Sequence, residues 1–262
     1  MFGLLSDYKV MVLTIDDNAI PEGFQELITD PNKKELTVDS VSQLIGCING
    51  LSKRLVGKYK DIKQLDPLPM KRAVAFCQSI KDSKSKTKVL NLSGLYKNGL
   101  TEEENEEVVN INCRHVDGGM GAGVRGEMIS WLKSENTEPN ECRILSNVRC
   151  LSEGVNVPAL DAVLFLSARN SQIDVVQSVG RVMRRADNKK YGYIIIPVVV
   201  PSTIEPEEAL NNHENFKVVW NVLQALRSHD DRFNATVNKI SLNKKKPDQI
   251  MHTHIGANSY GN

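Results

Sequence analysis

The sequence predicts an α/β domain: a mostly parallel sheet flanked by helices. Two observations carry this. From about residue 70 onward, short apolar runs alternate with helical patterns, as right-handed βαβ crossovers require. The chain of 262 residues is 40% hydrophobic and 25% charged, an ordinary globular composition with enough apolar material for a sizeable core. One large domain, or one with appendages, is expected at this length.

The elements follow in order. KVMVLTI at 9–15 reads as a buried strand, and the polar stretch 16–34 holds the breakers Pro21, Gly23 and Pro31. Val41, Leu44, Ile45, Ile48, Leu51 and Leu55 recur at helical spacing between Val38 and Tyr59, with Gly46 and Gly50 weakening that helix. Asp66-Pro-Leu-Pro reads as a linker. Strands are expected at 73–77, 111–116, 142–147, 162–167 and 192–199, the last ended or bent by Pro197. Helices are expected at 122–133 and 172–185, and the charge run after Thr101 reads as a solvated helical face. In the tail, Phe216, Val219, Leu223 and Leu226 mark an amphipathic helix, and residues after Asn243 are expected to fray.

The charge balance is 33 Lys and Arg against 32 Asp and Glu, or +1, which excludes a polybasic protein but not a local basic face. Residues 143–190 carry eight Lys or Arg and four Asp or Glu, a local excess of 8 − 4 = +4. No apolar run approaches the ~20 residues of a membrane span, and a cytoplasmic location is the default expectation. Cys47, Cys77, Cys113, Cys142 and Cys150 form no CxxC pair and read as reduced, buried thiols. Cys113 and His115 lack a second ligand pair, so no metal site is expected.

Two segments point to chemistry. In the first, Gln177, Arg181 and Arg184 stand at i, i+4 and i+7, one stripe of a helix. Two guanidinium groups and a carboxamide there can clamp polyphosphate oxygens, while Ile173, Val176, Val179 and Met183 form a stripe for packing. The second is SNVRCLSEGVNVPALDAV, a strand end, a polar loop containing Gly154 and an aspartate before the next strand. Loops at carboxyl strand ends are where open parallel sheets bind ligands.

SEGVNVPALDAV followed by QSVGRVMRR resembles motifs V and VI of superfamily 2 helicases. RAVAFCQSI resembles motif IV, and HVDGGMGAGVRGEMISWLK the strand and helix after it. All four elements agree in order with a second RecA-like motor domain over roughly 70–200, a fold of the P-loop NTPase type. GLLSDYKVMVLTID and ENFKVVWNVLQALRSHDDRF are similar to the helicase segment of type ISP restriction-modification enzymes.

The resemblance implies that Arg181 and Arg184 are arginine fingers and that Gln177 contacts the same phosphate or positions water. It implies that Glu153, Gly154 and Asn156 line the nucleotide cleft; most relatives have an aspartate facing the ribose where Asn156 stands. Asp161 is a nucleotide-side family aspartate or a strand-start cap, and both readings stay open. Ser146, Arg149, Ser152 and the turn 118–123 are candidate DNA-backbone contacts.

No GxxxxGK[ST] loop and no DEAD-like tetrad occurs in these residues. ATP with Mg²⁺ is therefore expected to bind jointly with an upstream RecA-like half, in cis or in trans, and this chain alone is not expected to be active. DNA is the expected partner, with nuclease and methyltransferase modules in a restriction system. The expected division is 1–69 as the end of a preceding motor half plus a helical linker, 70–202 as the RecA-like domain and 203–262 as a helical extension. The rival is a catalytically silent RecA-like domain that binds DNA or a partner; a dinucleotide enzyme is disfavoured.

Overall fold

The computed structural model describes residues 7–16, 20–30, 36–55, 62–98, 100–135, 138, 140–148, 160–167, 172–182, 184, 189–200, 216–229 and 250–255. In chain order the elements are β1 (Asp7–Asp16), α1 (Glu22–Thr29), α2 (Val38–Leu51), α3 (Ile62–Leu65), β2 (Arg72–Phe76), α4 (Ile80–Leu90), α5 (Ser93–Lys97), α6 (Glu102–Glu107) and β3 (Asn110–His115). There follow α7 (Ala122–Lys133), β4 (Glu141–Asn147), β5 (Ala162–Phe165), α8 (Gln172–Val182), β6 (Tyr191–Val200), α9 (Lys217–His229) and β7 (Ile250–Ile255). The seven strands form one sheet in the order β3-β4-β2-β5-β6-β1-β7, and every pairing is parallel.

Both faces of the sheet are buried. Along β1, Met11, Leu13 and Ile15 enter one core with α2, while Tyr8, Val10 and Val12 enter the other. Along β6, Tyr193 and Ile195 face the first core, and Ile194, Ile196 and Val198 the second. The alternation of side chains along a strand, with apolar residues at both phases, produces this two-sided burial. Leu132 of α7, Val175 and Val179 of α8, and Phe216, Val219, Val222 and Leu226 on or beside α9 complete the second core.

This arrangement corrects the expected division. β1 lies inside the sheet, paired with β6 over Asp7–Asp16 and with β7 on its other side, so residues 7–16 belong to the same layer as 70–200. The tail is not merely an extension either: α9 packs on α8, and β7, within the stretch expected to fray, supplies Met251 and Ile255 to the first core.

Pro197 does not end β6, which continues to Val200. β5 pairs with β6 only as far as Ile195, so beyond that point β6 has β1 as its described neighbour. A missing N–H on the open side removes no ladder bond there.

Gly46 and Gly50 serve contact, and their place in a helix follows from it. A Cβ on Gly46 would lie 2.7 Å from Ile15 Cδ1 and 2.8 Å from Pro197 Cβ. One on Gly50 would lie 3.0 Å from both Ile195 Cγ2 and Leu13 Cδ1. α2 can therefore lie close on β1 and β6 only where it has no side chain. It ends in a Schellman turn, with Arg54 N–H on Asn49 O (2.9 Å) and Lys53 N–H on Gly50 O (3.1 Å). Lys53 takes the positive φ of 55° that glycine usually takes. Its buried ammonium meets Asp66 Oδ2 at 2.7 Å and donates to the carbonyls of Asp66 (3.0 Å) and Leu68 (2.6 Å). The Tyr193 hydroxyl donates to the same carboxylate at 2.6 Å. The linker is thereby pinned beneath β6, and burial pushes the Lys53 amine below its usual value.

Gly46→Ala should lower the unfolding free energy by about 1–3 kcal/mol, the cost of overpacking a close seam. Gly126→Ala, in α7 where an added Cβ meets nothing within 4 Å, should raise it by up to about 1 kcal/mol through helix propensity. Urea midpoints of the two variants check the contrast, and similar shifts in both would refute the seam.

Candidate nucleotide and DNA interface

Because all pairings are parallel, the carboxyl ends of the strands share one edge. Cys77, His115, Ser146 and Leu166 stand there at the ends of β2, β3, β4 and β5. A buried polar chain connects three of them. Cys77 Sγ lies 3.6 Å from Ser146 Oγ, Ser146 Oγ lies 2.5 Å from Ser83 Oγ, and Ser83 Oγ lies 2.7 Å from His115 Nδ1. His115 Nε2 lies 2.8 Å from Asp117 Oδ2, and Asp117 Oδ1 accepts the Gly119 N–H at 2.8 Å. The His115 contact holds the Asp117 carboxyl below its usual value, with the Gly119 N–H and Lys84 assisting. This chain fixes the glycine turn after β3 against the first turn of α4. Serine, histidine and aspartate spread over 83–146 give no local spacing signal, so the sequence did not reveal it.

Ser146 is therefore corrected as a candidate DNA contact. Its exposure is 0%, and its hydroxyl is spent on Ser83 and Cys77. Asp161 is corrected too. Oδ2 accepts the backbone N–H groups of Lys71 (2.8 Å) and Arg72 (2.9 Å), at the amino ends of β2 and β5 and so at the far end of the strands from the ligand edge. It is the strand-start cap. Arg149, Ser152, Glu153, Gly154 and Asn156 lie outside the described residues.

α8 ends at Val182, short of the expected 185, so Arg184 lies beyond the helix and the expected stripe is not carried on one helix; the inward stripe shifts as well. Gln177 and Arg184 are exposed. Val175, Ser178 and Val179 are buried, while Val176 is only half-buried and Met183 lies outside the described residues. At about 3.6 residues per turn, 175 and 179 straddle the point opposite 177. Arg181 lies in the helix one turn after Gln177; its side chain is outside the described residues. Gly180 has open space where a Cβ would stand. The Lys189 ammonium donates to Arg184 O (3.1 Å) and Leu160 O (2.6 Å), tying the chain after α8 to the entry of β5. Burial lowers that amine to about 8.

α7 is held from behind. Arg72 donates to the carbonyls of Leu132 (2.9 Å), Lys133 (3.2 Å) and Ser134 (3.3 Å), and Arg143 to those of Trp131 (2.9 Å) and Ser134 (3.2 Å). Two guanidinium groups thus cap the negative end of the helix, and its glycine-rich amino end follows the turn fixed by Asp117. Gly121, Gly123 and Gly126 in fact stand at GxGxxG spacing after β3, a match the sequence reading overlooked. The third glycine of a dinucleotide fingerprint permits close helix–strand packing, whereas an added Cβ on Gly126 meets nothing within 4 Å. The spacing does not make that site.

The described cysteines are buried, and burial raises Cys47 to about 12 and Cys77 to about 11. Among the described residues no three His, Cys, Asp or Glu groups converge as a metal site would need. No described helix is long and apolar enough to cross a membrane.

The lowered Asp117 carboxyl yields a signed prediction. Its ionised form contributes stability above the ordinary aspartate value of about 3.9, and that contribution is lost as pH falls through the lowered folded value. The stability gap between the wild type and Asp117→Asn should therefore shrink on acidification below about pH 5, as read by urea unfolding across pH. A gap that stays constant would mean the carboxylate is not held by His115. Ser146→Ala should cost about 1–2 kcal/mol of unfolding free energy by breaking the same buried chain.

Residues 57–186 match the helicase conserved C-terminal domain. A DNA-bound structure of the type ISP restriction-modification enzyme LlaBIII is 40% identical and superposes with a TM-score of 0.80, over 98% of this chain and 16% of that one. A protein named helicase 22 of Sulfolobus islandicus filamentous virus (isolate Iceland/Hveragerdi) is 24% identical over 71% of this chain and 27% of its own length. Helicase A859L of African swine fever virus is 35% identical over 34% of this chain and 10% of its own. The chain thus spans between about a tenth and a quarter of each relative's length. By the domain match, and by the parallel sheet flanked by helices, the chain belongs to the helicase C-terminal domain family, with a RecA-like fold.

Proposed function

We propose that this chain is the second motor domain of an ATP-dependent DNA helicase or translocase within a restriction-modification enzyme. The observation that carries the reading is α8. Its inward residues are clamped by the sheet and by α9, while Gln177 is exposed on the other side and Arg184, just past the end of the helix, is exposed too. Arg181 and Arg184 would stabilise charge on the transferring γ-phosphoryl group, and Gln177 would contact the same phosphate or position the attacking water. Lys189 would keep the segment after α8 in register with the motif V strand β5.

ATP would lie between this domain and a first RecA-like half that supplies the phosphate loop. Mg²⁺ would be held by that other half, since the carboxylate tetrad of such motors does not occur in these residues. Glu153, Gly154 and Asn156 are proposed for the nucleotide side, with Asn156 offering a carbonyl oxygen where most relatives have a carboxylate. Arg149, Ser152 and the turn 118–123 are proposed for the DNA backbone. The 40% identity to a DNA-bound restriction enzyme supports DNA as the track, with nuclease and methyltransferase modules as the setting.

This chain alone should show no DNA-stimulated ATP hydrolysis. Added to a first motor half carrying the phosphate loop, it should restore it. There, Arg181→Ala and Arg184→Ala should each lower kcat by roughly 10³-fold with DNA affinity nearly unchanged, because the guanidinium groups act on charge that grows in the transition state. Lysine should rescue poorly, since an ammonium lacks the planar fork. Steady-state ATPase with saturating DNA decides. Loss of DNA affinity with kcat retained would move the stripe from ATP to nucleic acid. DNA binding without turnover in the reassembled motor would favour the silent interaction domain.

A further inference from the structure

α4 sorts its charges by face. It carries Lys81, Lys84, Lys86 and Lys88 against a single acid, Asp82, an excess of 4 − 1 = +3 in a chain whose net charge is +1. The acid is turned inward. Asp82 Oδ2 accepts the Gln78 N–H (3.2 Å) and the Ser167 hydroxyl (2.9 Å). Lys86 also turns inward, bonding Gln43 and the Leu166 carbonyl (3.2 Å) and lying 3.9 Å from Asp82 Oδ1. The inward pair therefore neutralises itself at the end of β5. Lys81, Lys84 and Lys88 remain on the exposed side, at i, i+3 and i+7, one stripe of the helix.

The stripe is aimed by its surroundings. α4 packs over β3 and β4, the last two strands at one end of the sheet. Its first turn is fixed to the carboxyl edge through Ser83, His115 and Ser146. Lys84 lies near enough to Asp117 to help lower its carboxyl, so the stripe starts beside the turn that opens α7. From Lys81 to Lys88 the helix rises about 10 Å at ~1.5 Å per residue. One strand of a duplex presents a phosphate about every 3.4 Å of axis, so three flexible ammonium groups over that length can meet successive phosphates.

We propose that Lys81, Lys84 and Lys88 form a contact to the DNA phosphodiester backbone, extending the track from the carboxyl edge along the outer face of α4. The contact is electrostatic and blind to base sequence, since an ammonium is a point charge with no base-edge code. It rests on the reading of this chain as a DNA motor domain.

The test is salt-dependent DNA binding by the full chain, read by fluorescence anisotropy with a labelled duplex and a labelled single strand. Three proteins are compared: the wild type, the triple variant Lys81→Gln, Lys84→Gln, Lys88→Gln, and a control, Lys71→Gln, Lys133→Gln, Lys217→Gln, whose lysines are exposed elsewhere. Glutamine has nearly the helix propensity of lysine, and circular dichroism with urea midpoints confirms folding. Three lost contacts should flatten the log–log salt slope by about 2.7 on duplex or about 2.1 on single strand. Between about 50 and 200 mM salt the wild-type fall in duplex affinity should exceed that of the α4 variant by roughly 40-fold. The control should keep the wild-type slope. Equal flattening in both variants would reduce the effect to net charge and overturn the proposal. An unchanged slope in the α4 variant would leave a solvated helix face and overturn it, with the motor reading intact. Absence of salt-dependent DNA binding by the wild type would sink both.

Discussion

The parallel pairing of β1 with β6 is the contact on which the rest of the structure depends. Its register runs from Asp7 opposite Tyr191 to Asp16 opposite Val200, joining segments more than 180 residues apart. It gives α2 its floor, because Gly46 and Gly50 approach side chains of those two strands. It also gives β7 an edge to join, on the other side of β1. With the central strands covered on both faces, most side chains of β1 and β6 are buried whichever way they point. A one-residue slip would move Met11, Leu13 and Ile15 into the other core, where their volumes do not fit.

The two cores divide the labour. The α2 side holds the polar pin of Lys53, Asp66 and Tyr193, a buried ion pair whose desolvation cost is offset by two carbonyls and a phenol hydroxyl. The other side holds α7, α8 and α9, the helices nearest the proposed chemistry. Strand parallelism places every carboxyl end on one edge, and the chain from Cys77 to Gly119 fixes that edge internally. Rigid edges of this kind let exposed side chains, such as Gln177 on α8 and the lysines of α4, act from set positions.

Much of the fold was legible because burial repeats with the period of the backbone. The helix at 122–133 and the strands near 72–76, 110–115 and 141–147 follow directly from apolar spacing. Where the reading failed, a tertiary contact outweighed a local rule. Pro197 is tolerated because β5 stops short of it, the α2 glycines are a packing surface, and β7 forms because β1 offers an edge. Ser146 looked like a surface donor at a strand end, and its depth was decided by Ser83 on a helix 63 residues away.

For the site, the sequence by itself determined the residue types and the one-turn spacing of Gln177 and Arg181 on a helix, opposite residues that pack. That follows from helix geometry alone, which is why it could be read without coordinates. Only the tertiary structure decided which polar groups are turned inward and which outward. Asp161 is consumed by two backbone N–H groups, Ser146 by a serine, and Asp82 and Lys86 by the end of β5, while Lys81, Lys84 and Lys88 are left facing outward. The physical reason is that hydrogen bonds are satisfied between elements brought together by the sheet. Their partners lie tens of residues away, at distances that no local spacing encodes.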